Sequence, residues 1–353
     1  MIAATYALFV CLSLVTVPVS WLSPKRMAFD AVAVWTALVL VLLSPATFVW
    51  LGLISVGLPL LMRVTPDGRR GRMTGLICAL LIAALVLARS LPTLAWLGGA
   101  FFTLRALHVV LDWWMGRLSA PDLRDSFRYF FFLPVLAAGP INRFPHFQTQ
   151  LRRRRWDLTE FALGFERILL GLIFLFVISG TVMARVLSGA EPALAAFPRF
   201  FAQWGLSVLS WIDLFFAFAG SSHIALGIAL MCGLALEENF DKPWRARSLL
   251  NFWTRWHMTL TRWVQDYVYQ PVVGVTRKPA VGLLLAMLAI GLWHAFSIYY
   301  VLWAVWQSLG IFLSRRLAGS MITDRVAPLL GPVFVLGWLS AARPVLDLLG
   351  VPF

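Results

Sequence analysis

Charged residues are scarce in this sequence. They make up 13% of the 353 residues, whereas 60% are hydrophobic. An ordinary soluble domain carries about 25% charged residues, and a disordered chain is far less apolar. Both classes are therefore excluded. The mean hydropathy of +0.82 and the 17 tryptophans predict a polytopic membrane protein. At about 20 residues per span, the length allows roughly ten membrane-spanning helices.

Acidic residues are the rarer of the two charge types, with 16 against 30 basic residues and a formal net charge of +14. In a soluble protein this excess would suggest nucleic acid as a partner. In a membrane protein it indicates basic loops that face the cytoplasm and contact anionic lipid. The basic loops fall on one side if the N-terminus lies outside. We therefore expect a multi-pass membrane protein with its N-terminus outside and with no nucleic-acid partner.

Cysteine is also rare, and the three cysteines lie in apolar surroundings without CxxC or Cys/His spacing. A disulfide framework and a zinc site are therefore not expected. The sequence also lacks the GxxxxGK(S/T) phosphate loop, the HExxH zinc helix and the GxSxG elbow. ATPase, zinc protease and serine hydrolase functions consequently have no support, and we expect no bound metal.

Two stretches do not fit a series of simple spans. Residues 129–138 are apolar but too few to cross a membrane. Because basic residues flank them, we expect a re-entrant element whose irregular backbone is covered by protein. Residues 206–236 are too many for one simple span and include Asp213. Here we expect a broken helix.

Residues 251–270 read NFWTRWHMTLTRWVQDYVYQ. Helical spacing would place Trp253 and His257 on an apolar face, with Arg255 and Thr259 on the opposite face. We therefore expect a continuous amphipathic helix at the cytoplasmic membrane boundary. His257 is either a hydrogen-bonded core histidine or a site residue, since a dry histidine needs a partner.

His294 follows a run from residue 281 to 293 without any ionisable residue. An ionisable side chain at such depth is a functional candidate. A neutral imidazole there would suit a general base that takes a proton from a hydroxyl. The alternative is a structural histidine that forms a hydrogen bond between helices.

Four segments, in order, resemble motifs of the membrane-bound O-acyltransferase family in its bacterial branch. They are FFFLPVLAAGPINRFPHF, LGIALMCGLALEENFDKPW, NFWTRWHMTLTRWVQDYVYQPV and GLWHAFSIYYVLW. The resemblance is to alginate O-acetylases and to the teichoic-acid D-alanyl transfer protein. It implies an all-α membrane protein with roughly 10–11 transmembrane helices, plus re-entrant and interfacial helices, around a central funnel. It also implies a single domain over residues 1–353, with a motif-bearing core at about 129–310.

By position in these motifs, His294 takes the place of the family's essential histidine and His257 that of its second histidine. Asn251 stands where many relatives carry Asp, and Ala295 replaces the glycine of the GLWHG motif. We expect His294 and His257 to be catalytic. Substrate-binding or supporting roles are expected for Asn251, Trp253, Arg255, Trp256 and Trp293.

The function that this resemblance implies is transfer of a short acyl group, acetyl favoured, to a hydroxyl of an envelope or extracellular polysaccharide, or to a partner protein. The donor would be a cytoplasmic thioester, either acyl-CoA or an acyl-carrier protein, with no bound cofactor. D-alanyl transfer from an acidic carrier protein is an alternative, and a non-enzymatic transporter or scaffold is a further one. An extracytoplasmic acyl-handling protein would be a second partner. If the donor is an acidic carrier protein or a phosphate-bearing thioester, we expect it to be steered by the basic side chains at residues 152–155, Lys242, Arg245, Arg247, Arg255 and Arg262. For residues 152–155 a lipid-facing anchor is the alternative, and the more usual role of such a run. The resemblance also implies the bacterial cytoplasmic (inner) membrane.

Overall fold

The computed structural model describes the backbone of residues 2–91, 96–317 and 321–351, and the side chains of 6–91, 96–316 and 330–351. The described part is about 80% helical and contains no strand. The chain divides into two compact units. Unit 1 comprises residues 1–171 and 221–237, and unit 2 comprises residues 172–220 and 238–353.

Eight helices lie wholly within unit 1, and they account for most of its described residues. They are α1 (Ile2–Leu14), α2 (Thr16–Leu22), α3 (Ala28–Leu43), α4 (Pro45–Val64), α5 (Arg70–Ser90), α6 (Gly99–Trp114), α7 (Leu123–Phe130) and α8 (Phe144–Arg153). Helix α9 (Leu158–Leu172) ends at the boundary with unit 2, and a π-helical stretch, Ile173–Met183, continues it.

The remaining helices begin in unit 2. They are α10 (Ala184–Leu194), α11 (Arg199–Met231), α12 (Leu249–Trp253), α13 (Met258–Val264), α14 (Gln270–Thr276), α15 (Pro279–His294), α16 (Ile298–Leu317) and α17 (Met321–Leu348). The last 11 residues of α11 fall in unit 1. A second π-helical stretch, Gln265–Tyr269, joins α13 to α14.

Four helical segments among the described residues are long and apolar enough to cross a membrane: Pro45–Val64, Asp67–Ser90, Leu158–Leu194 and Arg199–Met231. Three shorter apolar helices accompany them: Tyr6–Leu22, Ala28–Leu43 and Pro279–His294. These segments confirm an all-α polytopic membrane protein. The expected number of 10–11 transmembrane helices stays a prediction.

The structure also tests the two irregular stretches. Residues 131–136 follow α7, pass through a short 3₁₀ turn and are buried within unit 1. The irregular, protein-covered backbone is therefore confirmed for these residues. Re-entry of residues 129–138 into the membrane stays a prediction. The broken helix expected at residues 206–236 is wrong, because α11 runs unbroken to Met231. Its Asp213 is accommodated by a 2.6 Å hydrogen bond from the Ser179 hydroxyl, which belongs to the π-helical stretch.

Candidate active site

The segment that carries His257 is not one helix. Helix α12 ends at Trp253, residues 254–257 form turns, and α13 begins at Met258. His257 itself has φ +43° and ψ +54°, in the left-handed region. Non-glycine residues seldom adopt this conformation, although histidine does so more often than most. The continuous amphipathic helix expected at residues 251–270 is therefore wrong.

The break also places Thr259 differently from the helical-face prediction. Thr259 is buried, whereas the periodicity had put it on a basic, exposed face with Arg255. Its hydroxyl donates a 2.6 Å hydrogen bond to the side-chain oxygen of Asn239. A local reversal of the chain at His257 thus turns a polar side chain inward, where it has a partner.

A loop that precedes α12 holds this reversal in place. The backbone N–H of Met258 donates to the carbonyl of Asn239 at 2.9 Å, and that of Asp241 donates to the carbonyl of Arg255 at 3.0 Å. The Arg255 guanidinium also contacts the Asp241 carboxylate at 2.9 Å. The Arg255 side chain therefore fastens the loop carrying Asn239 to the turn carrying His257.

His257 is buried, with 3% of its surface exposed. Its Nδ1 lies 3.4 Å from the Asn239 side-chain oxygen, which can only accept, so this contact favours the tautomer with the proton on Nδ1. His257 lies between two short helices, outside the long apolar ones. Burial lowers its pKa below the ordinary value of about 6.5, and the charge of a protonated His294 lowers it further. His257 is thus a neutral imidazole with its lone pair on Nε2.

His294 is the last residue of α15 and is exposed, which differs from the burial expected from its apolar run. The run ends at this residue, and residues 295–297 form the turn into α16. Its ring stacks on that of Tyr300, with centroids 5.4 Å apart and an interplanar angle of 19°. The imidazole is therefore held on one face and accessible from outside the chain.

A glycine one turn before His294 permits this packing. A Cβ at Gly291 would lie 2.5 Å from the Tyr300 carbonyl oxygen, so α15 and α16 approach more closely than any side chain at Gly291 allows. The close approach brings His294 alongside Tyr300 and Trp303. The Trp303 ring lies edge-on to the imidazole at 6.0 Å.

One indole connects the two histidines. The Trp293 ring lies 5.7 Å from that of His257 and 4.9 Å from that of His294, both in edge-on geometries. Phe218 covers His257 on another side at 4.7 Å. The structure thus brings together His257, His294 and Trp293 in an aromatic environment within unit 2.

The other predicted residues lie around this centre. Trp253 is buried and packs edge-on against Trp303 at 5.9 Å, so it lies behind the ring that flanks His294. Its indole N–H has no acceptor among the described residues. Trp256 is also buried and stacks on Phe252 at 5.4 Å. Both Trp256 and Phe252 line an apolar cavity of about 540 Å³ that neither histidine lines.

Asn251 is engaged locally. Its side-chain oxygen accepts from the Arg247 N–H at 3.2 Å, and its own N–H donates to the capping hydroxyl of Ser248 at 3.1 Å. Its amide group contacts Thr254 at 3.5 Å. These contacts make Asn251 part of the start of α12, and none of them reaches either histidine.

Sequence reasoning missed four residues that contact the histidines or their partners. They are Asn239, Thr259, Tyr300 and Trp303. Asn239 stands in the EENF segment that carried part of the family resemblance, so a signal for it was present. Tyr300 and Trp303 are spaced as neighbours on one face of α16, but nothing in the spacing indicates that the face meets His294.

Comparison with known proteins identifies the family of this chain. The membrane-bound O-acyltransferase family profile matches residues 94–335, which include both histidines. The chain belongs to the membrane-bound O-acyltransferase family. Among curated members of the family, a probable alginate O-acetylase of Pseudomonas aeruginosa is 29% identical over 252 residues, covering 69% of this chain and 48% of that protein.

Two further relatives differ in what their names describe. A teichoic acid D-alanyltransferase of Streptococcus thermophilus is 27% identical over 257 residues, covering 67% of this chain and 62% of that protein. A peptidoglycan O-acetyltransferase of Helicobacter pylori is 30% identical over 190 residues, covering 52% of this chain and 36% of that protein. The chain therefore spans about half the length of the curated relatives that it matches.

Proposed function

We propose that this chain is a membrane O-acyltransferase that moves a short acyl group from a thioester to a hydroxyl. The observation that carries the proposal is the pairing of an accessible and a buried histidine across one indole, in a chain of this family. His294 is exposed at a helix end, where a substrate hydroxyl can reach it. His257 is dry and oriented by an amide oxygen.

In the proposed reaction, His294 accepts the proton of the acceptor hydroxyl. The hydroxyl oxygen then forms a bond to the thioester carbonyl carbon, and the carbon–sulfur bond breaks. The thiolate leaves and takes the proton back from the imidazolium of His294. A positioned general base of this kind contributes roughly 10²–10⁴-fold to the rate. His294 is assigned this role because a base must come within hydrogen-bond reach of the proton that it removes.

His257 supports this step from the buried side. Its neutral state leaves no fixed positive charge beside His294, so the imidazolium that forms during the reaction is not opposed by a second cation. The indole between them fixes the relative orientation of the rings.

Acetyl is the acyl group that we favour, since relatives named as O-acetylases or O-acetyltransferases include a protein 29% identical to this chain and one 30% identical. The proposed acceptor is an envelope or extracellular polysaccharide, or a partner protein that passes the group on outside the cell. The proposed donor is acyl-CoA or an acyl-carrier protein. The membrane would be the bacterial cytoplasmic membrane, with the N-terminus outside. A D-alanyl group from an acidic carrier protein is the second candidate, favoured by the D-alanyltransferase relative.

The test is to reconstitute the full chain in lipid nanodiscs with either acetyl-CoA or a D-alanyl carrier protein and a soluble polysaccharide acceptor. Thiol release and acyl groups on the acceptor would both be measured. Transfer that depends on His294 supports the proposal, and the donor used identifies the acyl group. Neither thiol release nor product from either donor, with partner proteins of the same gene cluster added, would favour the scaffold or transporter alternative.

A further inference from the structure

Unit 1 contains a cavity with a strongly basic lining, and neither histidine of the candidate active site lines it. Its volume is about 260 Å³, and two apolar residues, Phe29 and Leu151, line it together with five cations. The cations are Lys25, Arg26, Arg128, Arg152 and Arg154. They come from the α2–α3 connection, from α7 and from the end of α8, so the cavity is assembled from three separate parts of the chain.

Arg154 is held by the protein itself. Its Nε donates to the Cys232 carbonyl at 2.8 Å, and one terminal nitrogen donates to the Ser20 carbonyl at 2.7 Å. Its guanidinium lies 3.7 Å from the centre of the Trp21 ring. These partners fix its position but are all neutral, so the positive charge of Arg154 is oriented and not neutralised.

Arg128 is the cation of the cavity that has acidic partners. It contacts Asp30 at 2.7 Å and Asp125 at 3.5 Å, and Asp30 is shared with Arg124 at 2.6 Å. The carboxylate of Asp30 therefore serves two guanidinium groups. It does not compensate the other cations that line the cavity.

Lys25, Arg26 and Arg152 have no carboxylate within 4 Å in the part of the chain that the structure describes. All three side chains are exposed. Three such cations around one concave space repel one another unless an anion lies between them. Guanidinium groups bind phosphate oxygens through paired hydrogen bonds, and a lysine adds a point charge.

The residues around the cavity favour a membrane lipid as the source of an anion bound there. Exposed apolar side chains lie beside the cations in sequence: Leu22 and Met27 flank Lys25 and Arg26, with exposures of 85% and 57%, and Leu158 follows Arg154, with 70%. Trp156 is likewise exposed and packs edge-on against Trp21 at 5.1 Å. An aromatic and apolar fringe next to basic residues is typical of the membrane–water boundary.

We propose that this cavity binds the phosphate headgroup of an anionic phospholipid. The cations surround the phosphate, and the acyl chains lie against the apolar fringe outside. In other proteins, basic pockets between membrane helices on the cytoplasmic side bind anionic lipid headgroups. A phospholipid headgroup and a soluble phosphate compound both present phosphate oxygens to the cations. A soluble phosphate compound is therefore the alternative ligand that the test must distinguish.

The chain supplies a matched control for the test. Arg152 lines the cavity, whereas Arg153 and Arg155 of the same basic run do not. Two double variants remove equal charge: Arg26→Gln with Arg152→Gln inside the cavity, and Arg153→Gln with Arg155→Gln outside it. Each full-length variant would be purified in nanodiscs of phosphatidylcholine with a minor fraction of phosphatidylglycerol. Native mass spectrometry would then count the retained lipids.

We expect wild type and the Arg153/Arg155 variant to retain phosphatidylglycerol selectively, and the Arg26/Arg152 variant to lose about tenfold in that selectivity. Equal losses in both variants would indicate a diffuse surface attraction and overturn the site, as would no loss in either. Release of the retained lipid by millimolar inorganic phosphate or coenzyme A would assign the site to a soluble phosphate compound instead. Unchanged thermal stability of the variants excludes misfolding, and the readout is independent of acyl transfer.

Discussion

The side-chain oxygen of Asn239 lies 3.4 Å from Nδ1 of the buried His257. The same oxygen accepts the Thr259 hydroxyl at 2.6 Å, so its orientation is fixed from a second direction. An acceptor placed at one ring nitrogen of a histidine sets the tautomer and the ring orientation, which determines where the other nitrogen points.

Replacement of Asn239 by Leu removes the acceptor at similar volume. We expect it to lower kcat by about 10- to 100-fold, the range known for outer-shell partners of metal-bound histidines. The donor KM should change little, because Asn239 does not contact the donor in the proposed reaction. Steady-state kinetics in nanodiscs would separate the two parameters. Unchanged kcat in a folded variant would contradict an orienting role.

Asn239→Asp tests the same contact through pH. A carboxylate next to Nδ1 stabilises the imidazolium, so the pKa of His257 should rise from the depressed position that burial gives it. The acid side of the pH–rate profile should therefore move to higher pH than in the wild type, while activity at alkaline pH is retained. A profile identical to that of the wild type would show that His257 does not titrate with the reaction.

His294→Ala is expected to abolish acyl transfer, with a loss of at least about 10²-fold, while membrane insertion and purification stay normal. The exposed position of His294 predicts little effect on stability. His146→Ala is the matched control, because its ring contacts Asn142 and Gln150 and has no part in the proposed reaction. Product acylation would be measured for both variants. Near-normal product from His294→Ala would refute the base assignment.

His257→Ala should be severely impaired but retain some activity, because the base remains. His257→Asn is informative beside it, since asparagine tolerates a positive φ better than alanine. If the backbone reversal were the whole contribution of His257, the asparagine variant would recover activity. We expect it to recover thermal stability only. Loss of activity that follows aggregation in both variants would instead favour a structural core histidine.

Much of this site could be predicted from sequence, because motif residues identify themselves by type and order. His257, His294 and Trp293 were found in that way and lie together. The continuous helix predicted from the 3.6-residue period was wrong at residues 254–257, because the pattern of apolar residues does not reveal hydrogen bonds from a distant loop. Those bonds, from Met258 to Asn239 and from Asp241 to Arg255, outweigh local helix preference. The exposure of His294 was mispredicted because an apolar run fixes the helix but not where it ends relative to its neighbours.

Gly291→Ala should lower activity although Gly291 has no side chain that could take part in the reaction. Its new Cβ would meet the Tyr300 backbone at 2.5 Å, and backbone cannot move aside as a flexible side chain does. Helices α15 and α16 must separate, so His294 loses its stacking on Tyr300. Gly274→Ala is the control, since its Cβ would meet nothing within 4 Å. Equal activities for the two variants would show that the close helix approach does not position His294.

The last prediction concerns the donor. Arg245 and Arg247 are exposed beside the loop that carries Asn239, and an acidic carrier protein or the phosphates of acyl-CoA would be attracted to them. Arg245→Gln with Arg247→Gln should raise the donor KM several-fold and leave kcat nearly unchanged, as expected when binding is lost equally in the ground and transition states. The difference in donor KM between the variant and wild type should shrink with added salt, because the screening length falls from about 10 Å at 0.1 M to about 3 Å at 1 M.

The control variant, Arg277→Gln with Lys278→Gln, removes the same charge from another exposed part of unit 2. An equal rise in donor KM for that control would indicate that net charge attracts the donor, and not the surface formed by Arg245 and Arg247. An unaltered donor KM in both variants would show that Arg245 and Arg247 have no part in donor binding.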